Sequence, residues 1–189
     1  VKLGGSLLAQ PSLGPLLEVL VQEARRQPLL VVPGGGPFAD AVRLAAERHD
    51  PGESAAHWMA ILAMDQFATL LAGLSPEARL AGEPREVASV VAQGRLGILA
   101  PFAWLRAEDP LPHGWHVTSD SLSAWVAGAL GAARLLLLKP TDAATAGVVD
   151  AYFPRALPVG LECWLLDGRD PEGVRQFLSG GRTRGTRLR

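Results

Sequence analysis

Apolar positions fall into two alternating kinds of segment. Short, nearly unbroken apolar runs occur at Val1–Leu3, Leu29–Val32, Ala78–Leu80, Leu96–Leu99, Leu135–Leu138 and Cys163–Leu166. Several are bounded by glycine or proline, which predicts strands buried on both faces. Between them the apolar residues recur every three or four positions. Leu16, Leu17, Leu20, Val21 and Ala24 form such a stripe from Leu13 onward, and Phe38–Arg48, Pro84–Gln93 and Pro171–Leu178 read as helices in the same way. Leu122, Trp125, Val126, Ala129 and Leu130 mark another helix, capped by Thr118 or Ser119. Ala55–Leu74 is the longest helical segment and is apolar nearly all round, as in helices that are buried or sit at a subunit interface. Ala103–Gly114, with Pro101, Pro110 and Pro112 around it, reads as loop or hairpin. Pro140–Gly147 reads as a flexible loop, and Thr186–Leu188 closes the chain in extended form.

Strands that alternate with helices and are themselves unbrokenly apolar predict an α/β fold, a three-layer αβα sandwich with a mostly parallel central sheet. No internal repeat or linker interrupts the pattern, so residues 1–189 are expected to form a single domain. Ligands of such sheets bind outside the carboxyl ends of the strands.

Composition removes several classes of function. A hydrophobic content of 48% excludes a disordered chain, and a net charge of -1 leaves no electrostatic footprint for nucleic acid. One cysteine excludes a disulfide framework and any multi-cysteine zinc site. No apolar run approaches the roughly 18 residues that span a bilayer. The chain opens on a strand-like segment with no signal-peptide pattern, so a cytoplasmic protein is expected. Of 18 basic residues only Lys2 and Lys139 are lysine. Where arginine has replaced lysine so widely, the survivors stand out as sites that need a compact, strongly hydrated ammonium, such as contacts to a phosphoryl oxygen.

Three loops carry candidate chemistry. Lys2-Leu3-Gly4-Gly5-Ser6 and Pro33-Gly34-Gly35-Gly36-Pro37 each follow a strand and precede a helix, where glycines admit a phosphate close to the backbone and helix N–H groups supply donors. Neither is a Walker A or a Gly-x-Gly-x-x-Gly motif. The third, Thr118-Ser119-Asp120-Ser121, is an N-terminal cap by composition, with Asp120 favoured by the helix dipole. Lys139 ends the Leu135–Leu138 strand, on the same carboxyl side as Lys2 and the glycine loops. Two ammonium groups, two anion loops and one carboxylate suit phosphoryl transfer, which needs positioning and charge neutralisation rather than covalent help.

With these residues in order (Val-Lys-Leu-Gly-Gly-Ser at 1–6, Val-Val-Pro-Gly-Gly-Gly at 31–36, Thr-Ser-Asp-Ser at 118–121, Leu-Leu-Lys at 137–139), the chain resembles the amino-acid kinase superfamily. Gly34–Asp40, His57–Gln66 and Val117–Leu122 are most similar to its short branch associated with methanofuran biosynthesis. The resemblance implies ATP-dependent phosphorylation of [5-(aminomethyl)furan-3-yl]methyl phosphate to its diphosphate, with Mg2+ accompanying ATP. It implies that Lys2 contacts the transferring phosphoryl group, that Gly4, Gly5 and Ser6 cradle the ATP phosphates, and that Asp120 holds the lysines. Lys139 would then neutralise the leaving side, and Gly34, Gly35, Gly36, Thr118 and Ser119 would hold the acceptor. Residues 1–120 would be mainly the acceptor side and 121–189 mainly the nucleotide side.

The chain also departs from the family. A later Gly-Gly-Met-x-x-Lys segment is absent, and Pro140–Gly147 replaces the usual Val-Asp-Gly stretch, so Thr141, Asp142 and Asp150 stand only as candidate nucleotide contacts. His57 and Asp65 lie about 12 Å apart along one helix. Each is either a satisfied helix polar group or an acceptor contact, His57 near the acceptor phosphate and Asp65 near its aminomethyl cation. The arginines at 182, 184, 187 and 189 form a solvated tail or a second source of charge near ATP. No His/Cys/Asp spacing indicates a metal site, and Cys163 reads as an inert buried thiol. Other acceptors of the same fold (UMP, isopentenyl phosphate, acylamino acids, carbamate) stay open, as does a non-catalytic oxyanion-storage protein. Of these, storage needs no such lysine–aspartate set. The apolar helix 55–74 points to a homo-oligomer.

Overall fold

The computed structural model describes residues 1–143, 145, 147–181 and 184–188. Arg182 and Arg189 of the arginine-rich end lie outside these, and Arg184 and Arg187 are exposed. Seven strands form one sheet: β1 (Lys2–Leu3), β2 (Leu30–Pro33), β3 (Ala78–Ala81), β4 (Leu96–Leu99), β5 (Arg134–Lys139), β6 (Glu162–Asp167) and β7 (Thr186–Leu188). Their spatial order is β3-β4-β2-β1-β5-β6-β7, and every pair is parallel except β6 with β7. The apolar runs thus become parallel strands, interior ones as their lack of polar alternation requires, except β3, which lies at the sheet edge with Arg79 and Leu80 exposed.

The helices are α1 (Leu13–Ala24), α2 (Gly36–His49), α3 (Glu53–Leu74), α4 (Pro84–Ala92), α5 (Phe102–Glu108), α6 (Ser119–Ala129), α7 (Phe153–Ala156) and α8 (Pro171–Leu178). A 3-10 turn at Gly5–Ala9 leads from β1 toward α1. Leu16, Leu17 and Leu20 of α1 and Val174 and Leu178 of α8 pack on one sheet face, against Leu3, Val31, Ile98, Leu136 and Leu138. On the other face α6 lays Ala124 and Ala127 against Leu135, Leu137 and Leu165. Its Leu122 and Val126 meet Val32, Leu99 and Trp104. Two helical layers on a parallel sheet give the expected sandwich.

The segment expected to be loop or hairpin at 103–114 instead contains α5. Pro101 is its N-cap, a place where proline's missing N–H costs nothing, and Asp109 ends it in the left-handed region at φ 45°. The prolines bounded a short helix rather than excluding one. The four-residue α7 had no apolar stripe to reveal it. Helix α3 is apolar nearly all round because most of it is enclosed: Trp58, Ile61, Met64, Phe67 and Leu71 are all buried. Leu62, Leu70 and Leu74, spaced along one stripe, remain exposed. No helix among the described residues is long and apolar enough to cross a membrane.

Candidate active site

Strand order places the site. β1 lies between β2 and β5, and the chain leaves it first to one side and later returns on the other, which opens a crevice at the carboxyl ends. The register pairs Lys2 with Leu137. Paired residues on neighbouring parallel strands share a face, and so do residues two apart on one strand. Lys2 and Lys139 therefore project from the same face, the one covered by α6.

Asp120, in the first turn of α6, meets both. Its Oδ1 lies 2.9 Å from Lys2 Nζ and its Oδ2 2.7 Å from Lys139 Nζ. Lys139 also donates to Val148 O. Lys2 and Asp120 are almost fully buried. Burial alone pulls the Lys2 ammonium below the usual lysine range, and Asp120 opposes that shift while Lys139 adds to it. For Asp120 burial resists ionisation, but the two ammonium groups outweigh it and hold the carboxyl below the usual carboxylate range. A lysine ammonium carries three N–H donors, so Lys2 can turn one toward Asp120 Oδ1 and still offer another to an incoming oxygen.

The two glycine loops touch. A Cβ on Gly5 would fall 2.2 Å from Gly36 N, and one on Gly34 would fall 2.7 Å from Gly5 N. Gly36 also has φ +52°, a conformation that side chains resist. Gly4 N donates to Leu138 O and Gly34 N to Leu3 O, both at 2.8 Å, which ties both loops to the sheet ends.

A cavity of about 530 Å³ opens above this floor, lined by Lys2, Gly5, Ser6, Gly35, Gly36, Thr118, Ser119, Asp120 and Lys139. Its outer wall is apolar and aromatic, made of Ala60, Ile61, Met64, Val117, Leu122 and Trp115, with His57, Asp40 and Arg43 beside them. Arg43 pairs with Asp40 at 2.8 Å and lies over the Trp115 ring at 5.2 Å. A second cavity of similar volume sits at the amino ends of the strands, among residues such as Leu29, Val87, Val126 and Leu130, and holds no lysine or carboxylate.

The other expected residues separate. His57 lines the cavity and stacks on His113 with ring centroids 4.5 Å apart. His113 is itself held between Ser54 Oγ and Asp109 Oδ1. Burial first, then His113 and His116, lowers the His57 pKa to about 4, against the pull of Asp109, so its imidazole is neutral. Asp65 is not on the cavity wall. Its carboxylate accepts from Phe102 N at 3.1 Å, at the start of α5, and burial raises its pKa while that bond lowers it. Thr141 Oγ1 accepts from Ala143 N, and Asp142 O accepts from Thr186 Oγ1. Asp150, expected to face nucleotide, is turned inward and engaged by protein donors on both oxygens. Cys163 is buried, and burial pushes its thiol up to about 12.

Three residues of this lining, Asp40, Arg43 and Trp115, received no role from the sequence. The spacing of Asp40 and Arg43 on α2, three apart and directly after the glycine loop, was the available signal. Trp115 sits in an irregular segment and carried none.

Residues 1–150 match the model of the amino acid kinase family. The chain belongs to that family, and so to the phosphotransferases; membership implies ATP use. It is 27% identical to the [5-(aminomethyl)furan-3-yl]methyl phosphate kinase of Methanocaldococcus jannaschii, over 95% of this chain and 92% of that protein. Among solved structures it matches uridylate kinase from Archaeoglobus fulgidus with a TM-score of 0.73 at 18% identity, over 95% of this chain and 94% of that one. An isopentenyl phosphate kinase matches with a TM-score of 0.64 at 16% identity, over 99% and 98%.

No group of three or more His, Cys, Asp or Glu side chains able to hold a metal occurs among the described residues. Both oxygens of Asp120 already face lysines. The described residues therefore form no protein cage for Mg2+.

Proposed function

We propose that the protein transfers the γ-phosphoryl group of ATP to the phosphate of [5-(aminomethyl)furan-3-yl]methyl phosphate, giving the diphosphate and ADP. The observation that carries this reading is the Lys2–Asp120–Lys139 set at the floor of a cavity whose outer wall is apolar and aromatic. An acceptor phosphate oxygen attacks the γ-phosphorus, and the bond from that phosphorus to the β–γ bridging oxygen breaks. Lys2 meets the transferring group, and Lys139 balances the charge that builds on the leaving ADP. Gly4, Gly5 and Ser6 hold the ATP phosphates. Gly34, Gly35, Gly36, Thr118 and Ser119 hold the acceptor phosphate, and the furan ring lies against Ile61, Met64 and Trp115.

The neutral imidazole of His57 offers the acceptor a hydrogen bond without adding charge. Asp40 replaces Asp65 as the carboxylate facing the aminomethyl cation, because Asp40 lines the cavity and Asp65 does not. Residues 1–120 serve mainly the acceptor, and 121–189, with Thr141 and Asp142, mainly the nucleotide. Mg2+ enters with ATP, and the reaction runs in the cytoplasm. The exposed Leu62, Leu70 and Leu74 stripe of α3 joins two copies of the chain, and light scattering that returns a monomer at micromolar concentration would refute that association.

Phosphorus NMR tests the reaction. Protein with Mg-ATP is given the furan phosphate, UMP, isopentenyl phosphate, acetylglutamate or carbamate in parallel. A new diphosphate doublet pair together with ADP, in the furan tube alone, is the expected result. Product in a different tube would keep the lysine roles and replace the substrate. Silence in all five, with ATP still binding, would leave an oxyanion-binding protein.

A further inference from the structure

We infer that Asp150 is a positioning residue of the two-lysine site, acting by clamping the first turn of α6 so that Asp120 stays between Lys2 and Lys139. The inference rests on the phosphotransfer reading of that site. The Asp150 carboxylate sits between the start of α6 and the start of α7 and is saturated with donors. Its Oδ2 accepts from Thr118 N at 2.9 Å, Thr118 Oγ1 at 2.8 Å and Ser121 N at 3.0 Å. Its Oδ1 accepts from Ser121 Oγ, from Tyr152 N at 3.1 Å and from Phe153 N at 2.9 Å.

Thr118 and Ser121 bracket Asp120 in the chain, so the clamp fixes the backbone on both sides of the residue that meets the lysines. The Asp120 N–H itself reaches Thr118 Oγ1 only at 3.4 Å, a long bond. A carboxylate at a helix N-terminus is favoured by the free N–H groups and dipole there, which accounts for an anion at this point without any ligand. The same segment reaches the site a second time, because Val148 O accepts from Lys139 Nζ. Two residues of one short stretch thus hold Lys139 directly and Asp120 through its helix. With both oxygens filled, Asp150 has no lone pair directed at a nucleotide.

Asp150→Asn tests this. Whichever way the amide turns, its NH2 faces two backbone N–H groups, Thr118 and Ser121 on one side or Tyr152 and Phe153 on the other, so the clamp opens. Misplacement of a catalytic group by about 1 Å costs on the order of 100-fold. The kcat of D150N is therefore expected to fall tenfold to 100-fold, with the KM for ATP within about twofold of the unsubstituted protein.

A second readout does not need turnover. The chain has only two lysines, so 15N-lysine labelling gives two side-chain ammonium signals. Lys2 faces Asp120 from α6, Lys139 from β5 and Asp150 from the loop before α7. Loosening Asp120 removes its main counter-charge, so the Lys2 signal should titrate at lower pH in D150N, which also loses the Asp150 charge. It should do so too in Ser121→Ala, which keeps that charge and therefore reports the clamp alone. Leu178→Ala, in the opposite helical layer, supplies a comparably destabilised protein whose lysine signals stay in place. If D150N loses thermal stability while both lysine signals and kcat match the unsubstituted protein, Asp150 only holds the fold and the inference fails. If D150N does not fold, Ser121→Ala removes one clamp donor and is read in the same way. A shift of the Lys2 signal supports the inference and an unmoved signal overturns it. Should no acceptor be phosphorylated even by the unsubstituted protein, the proposed reaction falls, while the lysine signals still decide the role of Asp150.

Discussion

Lys2 and Lys139 leave adjacent parallel strands on the same face, offset by two residues in register, and one carboxylate lies within 2.9 Å of the first and 2.7 Å of the second. The sheet sets the separation of their backbones, since β1 and β5 are central strands, and Asp120 holds the two ammonium ends. In the proposed reaction a phosphoryl group entering the cavity they line would meet positive charge already in place, the condition under which such groups contribute most to rate.

Lys2→Met should therefore abolish most of the rate and little of the fold. Lys139 remains to neutralise Asp120, so no charge is left buried alone. Removing one preorganised donor costs about 100- to 1000-fold in kcat. A coupled ADP-release assay beside a thermal melt reads both quantities, and a variant within tenfold of the unsubstituted rate would contradict the role given to Lys2.

Asp120→Asn is the opposite case. It strands the buried Lys2 ammonium and takes one partner from the half-buried Lys139, and breaking a buried ion pair from one side costs about 3–5 kcal/mol. The Asp120 carboxyl is held below its ordinary value in the fold by the lysines. Its contribution is thus complete above the ordinary carboxylate pKa and lost as pH falls through the lower, folded value. Urea midpoints measured from pH 6 downward should show the unsubstituted protein losing this increment at acid pH. D120N starts lower and lacks it, and two parallel curves would mean that the pairing contributes nothing.

His57 titrates in a different window. The unfolded chain takes up a proton near the ordinary value of 6.5, whereas the folded imidazole, disfavoured as a cation by burial, His113 and His116, waits until about 4. Stability from this group is complete above pH 6.5 and is lost as pH falls toward 4. His57→Gln should flatten that part of the urea-midpoint curve. With the imidazole neutral across pH 5 to 8, the acceptor KM should show only the inflection of the acceptor's own phosphate, whose second pKa is about 6, and show it equally in H57Q. An inflection present in the unsubstituted protein and absent in H57Q would show that the site charges His57.

Most of the sheet was legible because its strands are buried on both faces, and burial writes itself as an unbroken apolar run such as Leu135–Leu138. The lysines were legible through their scarcity and their place at strand ends. Helix α5 was hidden because Pro101, Pro110 and Pro112 read as loop punctuation, although proline suits the N-terminal edge of a helix. The inward turn of Asp150 could not be read at all. Its partners in α6 are 29 and 32 residues away, and no local spacing distinguishes a carboxylate that caps a distant helix from one that meets solvent or ligand.

Asp40 and Asp65 make the sharpest comparison, because Asp40 lines the cavity and Asp65 does not. Asp65 supports the Phe102 N–H at the start of α5, so Asp65→Ala should lose about 1 kcal/mol of stability, the usual cost of a lost helix cap, and leave the acceptor KM within about twofold. Asp40 is exposed and, among the described residues, its side chain pairs with Arg43, a pair of the kind that contributes about 0–1 kcal/mol. Asp40→Asn should leave the melting temperature in place. It should raise the acceptor KM about tenfold, the weight of one charge-assisted hydrogen bond at the lower end of its range, with kcat retained because the lysines are untouched. A phosphate acceptor without the aminomethyl group would be indifferent to D40N, which separates lost recognition of the cation from a disturbed α2. The reverse pattern, a raised KM in D65A and none in D40N, would return the cation to Asp65 and require α5 to move when the acceptor binds.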